Sequence, residues 1–152
     1  MFRGATSLNL DSKGRIAIPA RYREAVVRQC EGNLIITVNN TNERCLWLFT
    51  LPEWEAVEKK VVELPSFSSQ AQSLKRLLMG YASDCEMDAN GRLRIAQPLI
   101  DFAGLDKHLM LIGQGNKFEI WDETLWNTKC KQWTELPEDQ ESISEHLMNL
   151  SL

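Results

Sequence analysis

The sequence predicts an α+β fold, mainly β, that the chain builds from two copies of one unit. Three observations predict it. Leu8 and Leu10, then Ile16 and Ile18, flank Asp11-Ser12-Lys13-Gly14-Arg15 with the period-two alternation of half-buried strands around a turn. That pattern returns 77 positions later in Met87-Asp88-Ala89-Asn90-Gly91-Arg92-Leu93-Arg94-Ile95, where Asp88, Gly91, Arg92, Leu93 and Ile95 stand for Asp11, Gly14, Arg15, Ile16 and Ile18. The order of elements around each copy also repeats: a hairpin, a short helix, a second hairpin, then an acid-started helix that carries a Trp.

In the first hairpin, an Asp that opens a tight turn accepts hydrogen bonds from backbone N–H groups two or three residues on, and Gly14 takes positive φ without steric cost. Arg15 carries five donors and a permanent charge, which suits either a carboxylate within the protein or an external phosphate. Pro19 starts a helix over 20–30 with Tyr22, Ala25, Val26 and Gln29 on one face, and Gly32-Asn33 ends it. Residues 34–38 and 46–49 are β-rich runs joined through the turn-prone Asn39-Asn40-Thr41-Asn42, a second hairpin. Pro52-Glu53 then opens a helix with Trp54, Val57 and Val61 on its apolar side. Pro65-Ser66-Phe67-Ser68-Ser69 breaks the chain and caps a helix in which Ala71, Leu74, Leu77 and Leu78 recur, with Gly80 expected to stop it.

The second copy follows the same course. Residues 98–104 form a short helix with Leu99 and Phe102 inward, and residues 109–112 and 118–121 form a hairpin through Gly113-Gln114-Gly115-Asn116. Asp122-Glu123 begin a helix containing Leu125, Trp126, Cys130 and Trp133, in which Trp126 matches Trp54. Residues 137–152 are a tail whose Ile143, Leu147 and Leu150 make a narrow apolar stripe, a docking surface for the same chain or a sister subunit, or a partly disordered end.

Composition narrows the function classes. Among 152 residues, 43% are apolar and 25% charged, the balance of a soluble globular chain. No apolar run reaches the length of a membrane span, and Met-Phe-Arg-Gly-Ala-Thr does not lead into a signal segment, so a cytoplasmic location is expected. Cys30, Cys45, Cys85 and Cys130 are scattered, and His108 and His146 stand alone; zinc or redox chemistry wants ligands at short spacing, so no metal and no cofactor is expected. Asp11 and Asp88 are the one pair an acid–base enzyme would use, but turn formation accounts for both and no Ser/His or Cys/His arrangement accompanies them. An enzyme, and with it a small-molecule substrate, is not expected.

Charge is unevenly placed. The chain carries a net −4, yet residues 1–30 hold Arg3, Lys13, Arg15, Arg21, Arg23 and Arg28 against Asp11 and Glu24, a local +4. Glu135, Glu138, Asp139, Glu141 and Glu145 make the end acidic, with no Lys or Arg after Lys131. Such asymmetry points to a basic face and an acidic tail.

These motifs together resemble one family. The start Met-Phe-Arg-Gly, the hairpin Leu-Asp-Ser-Lys-Gly-Arg-Ile-Ala-Ile-Pro, its second copy Met-Asp-Ala-Asn-Gly-Arg-Leu, and Gly115-Asn116-Lys117-Phe118-Glu119-Ile120-Trp121 are similar to the bacterial MraZ family over nearly the whole chain. Each Asp-x-x-Gly-Arg hairpin also resembles the wider AbrB/SpoVT group. The resemblance implies two tandem swapped-hairpin repeats forming one pseudo-twofold β-barrel with flanking helices: a first repeat over 5–52, a helical connector over 53–80, a second repeat over 81–124, and a C-terminal helix and acidic tail over 125–152. It further implies a transcriptional regulator that binds double-stranded DNA at promoter repeats upstream of its own division and cell-wall gene cluster, as a ring-shaped homo-oligomer on the nucleoid.

Arg15, Lys13 and Arg3 are the first candidates for DNA contact, with Arg15 suited to a guanine edge, while Arg21 and Arg23 either touch phosphates or stay solvated. Asp11, Gly14, Asp88, Gly91 and Arg92 are expected to be structural turn residues. The second hairpin departs from the first, with Ala96 and Ile100 where the first has Pro19 and Arg23. It also follows Asp84, Glu86 and Asp88, which would repel phosphate and offer Arg92 a local partner, so Arg92 is expected to serve folding or assembly. The competing function is an oligomeric protein-interaction scaffold without DNA binding, in which Leu74, Leu77 and Leu78 or the C-terminal stripe would dock a partner. A scaffold has no need of the basic first segment.

Overall fold

The computed structural model describes residues 1–135 together with Leu147, Asn149 and Leu150. The chain begins with β1 (Ala5–Asn9), β2 (Arg15–Ala17), α1 (Ala20–Cys30), β3 (Asn33–Val38) and β4 (Leu46–Thr50) of the first repeat, followed by the helices α2 (Leu51–Val62) and α3 (Ser69–Tyr81). The second repeat runs β5 (Ser83–Glu86), β6 (Arg92–Arg94), α4 (Gln97–Ala103), β7 (His108–Gly113), β8 (Phe118–Asp122) and α5 (Glu123–Thr134). β3 pairs with β4 and β7 with β8, so both long hairpins form as the β-rich runs and the turns between them predict.

The two Asp-turn hairpins do not close on themselves, which corrects the local reading of each as a self-paired unit. β1 pairs with β7 of the second repeat, β5 pairs with β3 of the first, and β2 pairs with β6. A lone two-stranded hairpin is marginal in water. Exchange places Leu8, Ile16 and Ile18 of one repeat in the same core as Leu93, Ile95 and Leu99 of the other. This is the swapped-hairpin arrangement that the resemblance implies.

The result is a six-stranded antiparallel sheet in the order β1-β7-β8-β4-β3-β5 and a two-stranded ribbon β2-β6. Replacing each strand by its counterpart in the other repeat gives the same order read from the other edge, which is the pseudo-twofold. The ribbon bridges the sheet's two edge strands. At its corners the Asp11 N–H donates to the Arg15 carbonyl (3.0 Å) and the Asp88 N–H to the Arg92 carbonyl (2.8 Å), so the barrel is joined through turns rather than by a continuous ladder. On the axis between β4 and β8, Trp47 faces Glu119. The Glu119 carboxylate, 7% exposed, accepts from Trp47 Nε1 (3.1 Å), Asn39 Nδ2 (3.2 Å) and Trp121 Nε1 (3.0 Å).

Helices cover the outside. On α1, Tyr22, Val26 and Cys30 are buried, so the inward stripe ends on Cys30 rather than on Gln29. α3 is capped by Ser68, whose hydroxyl accepts from the Ala71 N–H, and lays Leu78 on a second cluster with Ile35, Phe49, Trp54 and Val61. Gly80 lies inside α3, which runs one residue further. Asp122 caps α5 through the Leu125 N–H. Of the predicted apolar stripe in the tail, Leu147 and Leu150 are exposed and Ile143 lies outside the described residues, as do Glu138, Asp139, Glu141 and Glu145.

Candidate nucleic-acid interface

The two turns are built alike. Asp11 Oδ1 accepts from the Lys13 N–H (2.9 Å) and the Arg15 N–H (2.8 Å), and Asp88 Oδ1 accepts from the Asn90 and Arg92 N–H groups (both 2.9 Å). Gly14 and Gly91 sit at φ 75° and 76°, the left-handed region that a residue with Cβ occupies only under strain. The Arg15 N–H bond, above all, holds the Asp11 carboxyl below the usual carboxylate range, and the Arg92 N–H bond does the same for Asp88. The charge of Arg15 also reaches Asp88 from the other repeat.

Between the turns lies the ribbon. Its register sets Arg15 opposite Arg94, Ile16 opposite Leu93 and Ala17 opposite Arg92. Ile16 and Leu93 are 1% and 2% exposed, so they point into the core and their neighbours point out. The Ile95 N–H donates to Gly14 O and the Ile18 N–H to Gly91 O, both 2.8 Å or less. Hydrogen-bonded and non-bonded pairs alternate along an antiparallel ladder, which makes Arg15/Arg94 a non-bonded pair with Cβ atoms about 4.5–5.5 Å apart. Two like charges directly opposed on one face are unfavourable alone. An anion lying on that face relieves the repulsion.

Arg15 is half tied. Its Nε donates to Asp11 Oδ2 at 2.8 Å, a pair in which both side chains are about one-third exposed, and among the described residues its Nη groups have no partner. Arg92 has no ion-pair partner among the described residues: Asp88 takes the two backbone N–H groups on Oδ1, as Asp11 does, but no guanidinium on Oδ2. The ion pair that Asp84, Glu86 and Asp88 were expected to offer Arg92 is not formed, and the one between a turn Asp and its Arg is made in the first turn by Asp11 and Arg15. Lys13 is exposed in the first turn.

The exchange also redistributes the cations. Gly14 of the first turn meets Ile100 of α4, with Cδ1 3.5 Å from where a Cβ would be, whereas Gly91 of the second turn meets Arg23 of α1. Arg23 Nε donates to the Ile18 carbonyl at 2.7 Å. Arg21 bonds Thr6 Oγ1 and lies 4.7 Å over the Tyr22 ring. Arg3 is exposed at the far end of β1, roughly 20 Å from the first turn at the usual rise per strand residue. Thus Lys13 and Arg15 stay together, Arg3 and Arg21 form a separate group, and Arg23 braces the second turn. Of the cations near Arg15 in sequence, Arg23 is the one that the exchange carries to the Asp88 turn, so the first turn keeps Lys13 and the second gains Arg23.

Arg94 is the residue that sequence reasoning passed over. Its signal was the alternation itself: with Ile16 and Leu93 inward, Arg92 and Arg94 must face out beside Arg15. Among the described residues no group of His, Cys, Asp and Glu is arranged to hold a metal ion, and no helix is long and apolar enough to cross a membrane.

Comparison with known proteins adds to this geometry. The family described as "MraZ protein, putative antitoxin-like" matches twice, over residues 1–77 and 78–146. A protein of Methylococcus capsulatus named Transcriptional regulator MraZ is 53% identical over 135 residues, 89% of this chain and 88% of that one. Proteins with the same name from Thioalkalivibrio sulfidiphilus and Idiomarina loihiensis are 46% and 48% identical, each covering 100% of both chains.

Proposed function

The chain belongs to the MraZ family, and from that premise we propose that it is a transcriptional regulator that binds double-stranded DNA through the outward face of the β2–β6 ribbon. One observation carries the reading: Arg15 and Arg94, from different repeats, stand side by side on an exposed two-stranded ribbon with Arg92 next along. A ribbon of this width fits the major groove, where an Arg takes guanine O6 and N7 together. Lys13 adds a phosphate contact from the first turn. Asp11 orients Arg15 through Nε and leaves the Nη groups for the base edge, while the glycines let each turn pack against the other repeat.

An acidic protein can bind DNA in this way if the ribbon faces the duplex and the carboxylates lie elsewhere. A few cations per chain give modest affinity, so several chains in a ring, each meeting one copy of a repeated promoter element, supply the rest by avidity. Exposed Val62, Phe67 and Trp133 are apolar surface suited to contact between copies. The target is the promoter of the division and cell-wall gene cluster that holds its own gene, which places the protein in the cytoplasm on the nucleoid. The test is a gel shift with the DNA upstream of its gene, run beside a scrambled duplex. The protein should shift the first selectively, and Arg15→Ala should lose that selectivity while keeping the oligomer mass. Equal binding of both duplexes by the unmodified protein would refute sequence-specific regulation.

A further inference from the structure

We propose that the cleft between the N-terminus and α1, lined by Arg3, Arg21 and Arg28, is a second DNA contact that holds backbone phosphates flanking the stretch met by the ribbon; this rests on the ribbon reading above. The cleft has a volume of about 450 Å³, with Phe2 and Tyr22 among its walls. Phe2 is fixed there by two 2.8 Å backbone bonds with Gly115 and by stacking on Phe118 at 4.2 Å, which places Arg3 at the rim. Among the described residues no carboxylate lines it. Glu24 reaches Arg28 from outside at 3.6 Å, a solvent-exposed pair of little strength.

The second repeat is an internal control. At the 77-residue offset Arg21 becomes Pro98 and Arg28 becomes Leu105, and the surface beside α4 carries Asp101 and Asp122 with one cation, Arg44, from another segment. α4 occupies the same place in the fold without these cations, so packing does not require them. Nor is the cleft isolated from the ribbon. Arg23, two residues on from Arg21 in α1, lies against Gly91 of the second turn, and the chain runs roughly 20 Å along β1 from the cleft to the first turn, about six steps of duplex at 3.4 Å each. Guanidinium forks suit phosphate oxygens, and the cleft has no second cation row with which to reach into a groove. Its contribution is to affinity and register, without sequence preference.

The test measures DNA affinity against salt for the whole protein, Arg28→Gln, and Arg3→Gln/Arg28→Gln, on the upstream duplex and a scrambled one. Each lost phosphate contact should flatten the slope of log K against log salt by about 0.9 per engaged subunit. Both duplexes should weaken by the same factor, leaving their ratio unchanged. An unchanged slope overturns the proposal, and so does a collapse of the ratio, which would make these residues base readers. Inorganic pyrophosphate, followed by tryptophan fluorescence, separates the sources of phosphate: binding that needs Arg28, with DNA slopes unaltered, assigns the cleft to a free ligand and overturns it too. Failure of the ribbon reading is seen separately, as an Arg15→Gln protein that still prefers the upstream duplex; the slope on the scrambled duplex reports on the cleft either way.

Discussion

Gly91→Ala tests the contact by which the two repeats lock together. Gly91 sits at φ 76°, and a Cβ there would lie 2.1 Å from Arg23 Nε and 2.6 Å from its Cζ. Backbone strain in the left-handed region costs about 1–2 kcal/mol. The clash falls on a flexible side chain, which can swing away only by giving up its 2.7 Å bond to the Ile18 carbonyl. A bond from a charged donor contributes about 1.5–3 kcal/mol. Gly91→Ala should therefore destabilise by about 2.5–5 kcal/mol in the natural background, but by only the strain of about 1–2 kcal/mol in an Arg23→Ala background. Urea unfolding of the four proteins of the cycle, at one protein concentration because assembly adds to stability, gives the coupling directly. A coupling of about 1.5–3 kcal/mol is expected. Additivity within about 0.5 kcal/mol would refute the brace between α1 and the second turn.

Glu119→Ala removes the acceptor of Trp47, Trp121 and Asn39 at the axis, and should cost about 2–4 kcal/mol with a change in tryptophan emission, from one or two orphaned buried donors; a loss under about 0.5 kcal/mol would contradict the network. The carboxyls of Asp11 and Asp88 titrate below their ordinary range in the folded protein. Their contribution to stability is therefore complete above the unfolded value near 4 and is lost as pH falls through the lower folded values. Asp11→Ala/Asp88→Ala should flatten the fall of stability in that acid window, read by denaturant midpoints from pH 5 to pH 2, and an unchanged profile would count against it. Burial pushes the Cys85 thiol up to about 12 and the Cys45 thiol higher still. Both should resist iodoacetamide at pH 8 in the folded protein and react once urea is added; rapid labelling of either before unfolding would contradict their burial.

Much of the molecule was legible because its signals are local. Asp11, Gly14 and their copies name the turn that forms, Pro19 and Pro52 mark helix starts, and the β-rich runs Leu34 to Val38 and Leu109 to Ile112 find the long hairpins. Strand partnership was not local. β2 and β6 are three residues each, too short for their own sequence to choose between the adjacent strand and the equivalent strand of the other repeat; burial of Ile16 and Leu93 in one core decides it. That choice also decides the site. Arg23 follows Arg15 in the sequence but lies against the opposite turn, and Arg94, which follows Asp84, Glu86 and Asp88 in the sequence, ends opposite Arg15. Glu119 gave no sign of burial, since its counterpart is Trp47 and its partners come from three separate segments.

The central claim is that the outward face of the ribbon meets DNA bases, and Ala17 is the position from which to ask. It is exposed, between Arg15 in its own strand and Arg92 opposite, and makes no contact that a larger side chain would break in the core. A photo-crosslinking amino acid placed at Ala17 should join the upstream duplex at base positions within its repeats, and a scrambled duplex far less, while the same group at exposed Asn127 on α5 should capture neither. Capture from Asn127 with none from Ala17, by protein that still shifts the upstream duplex, would contradict the assignment of the ribbon.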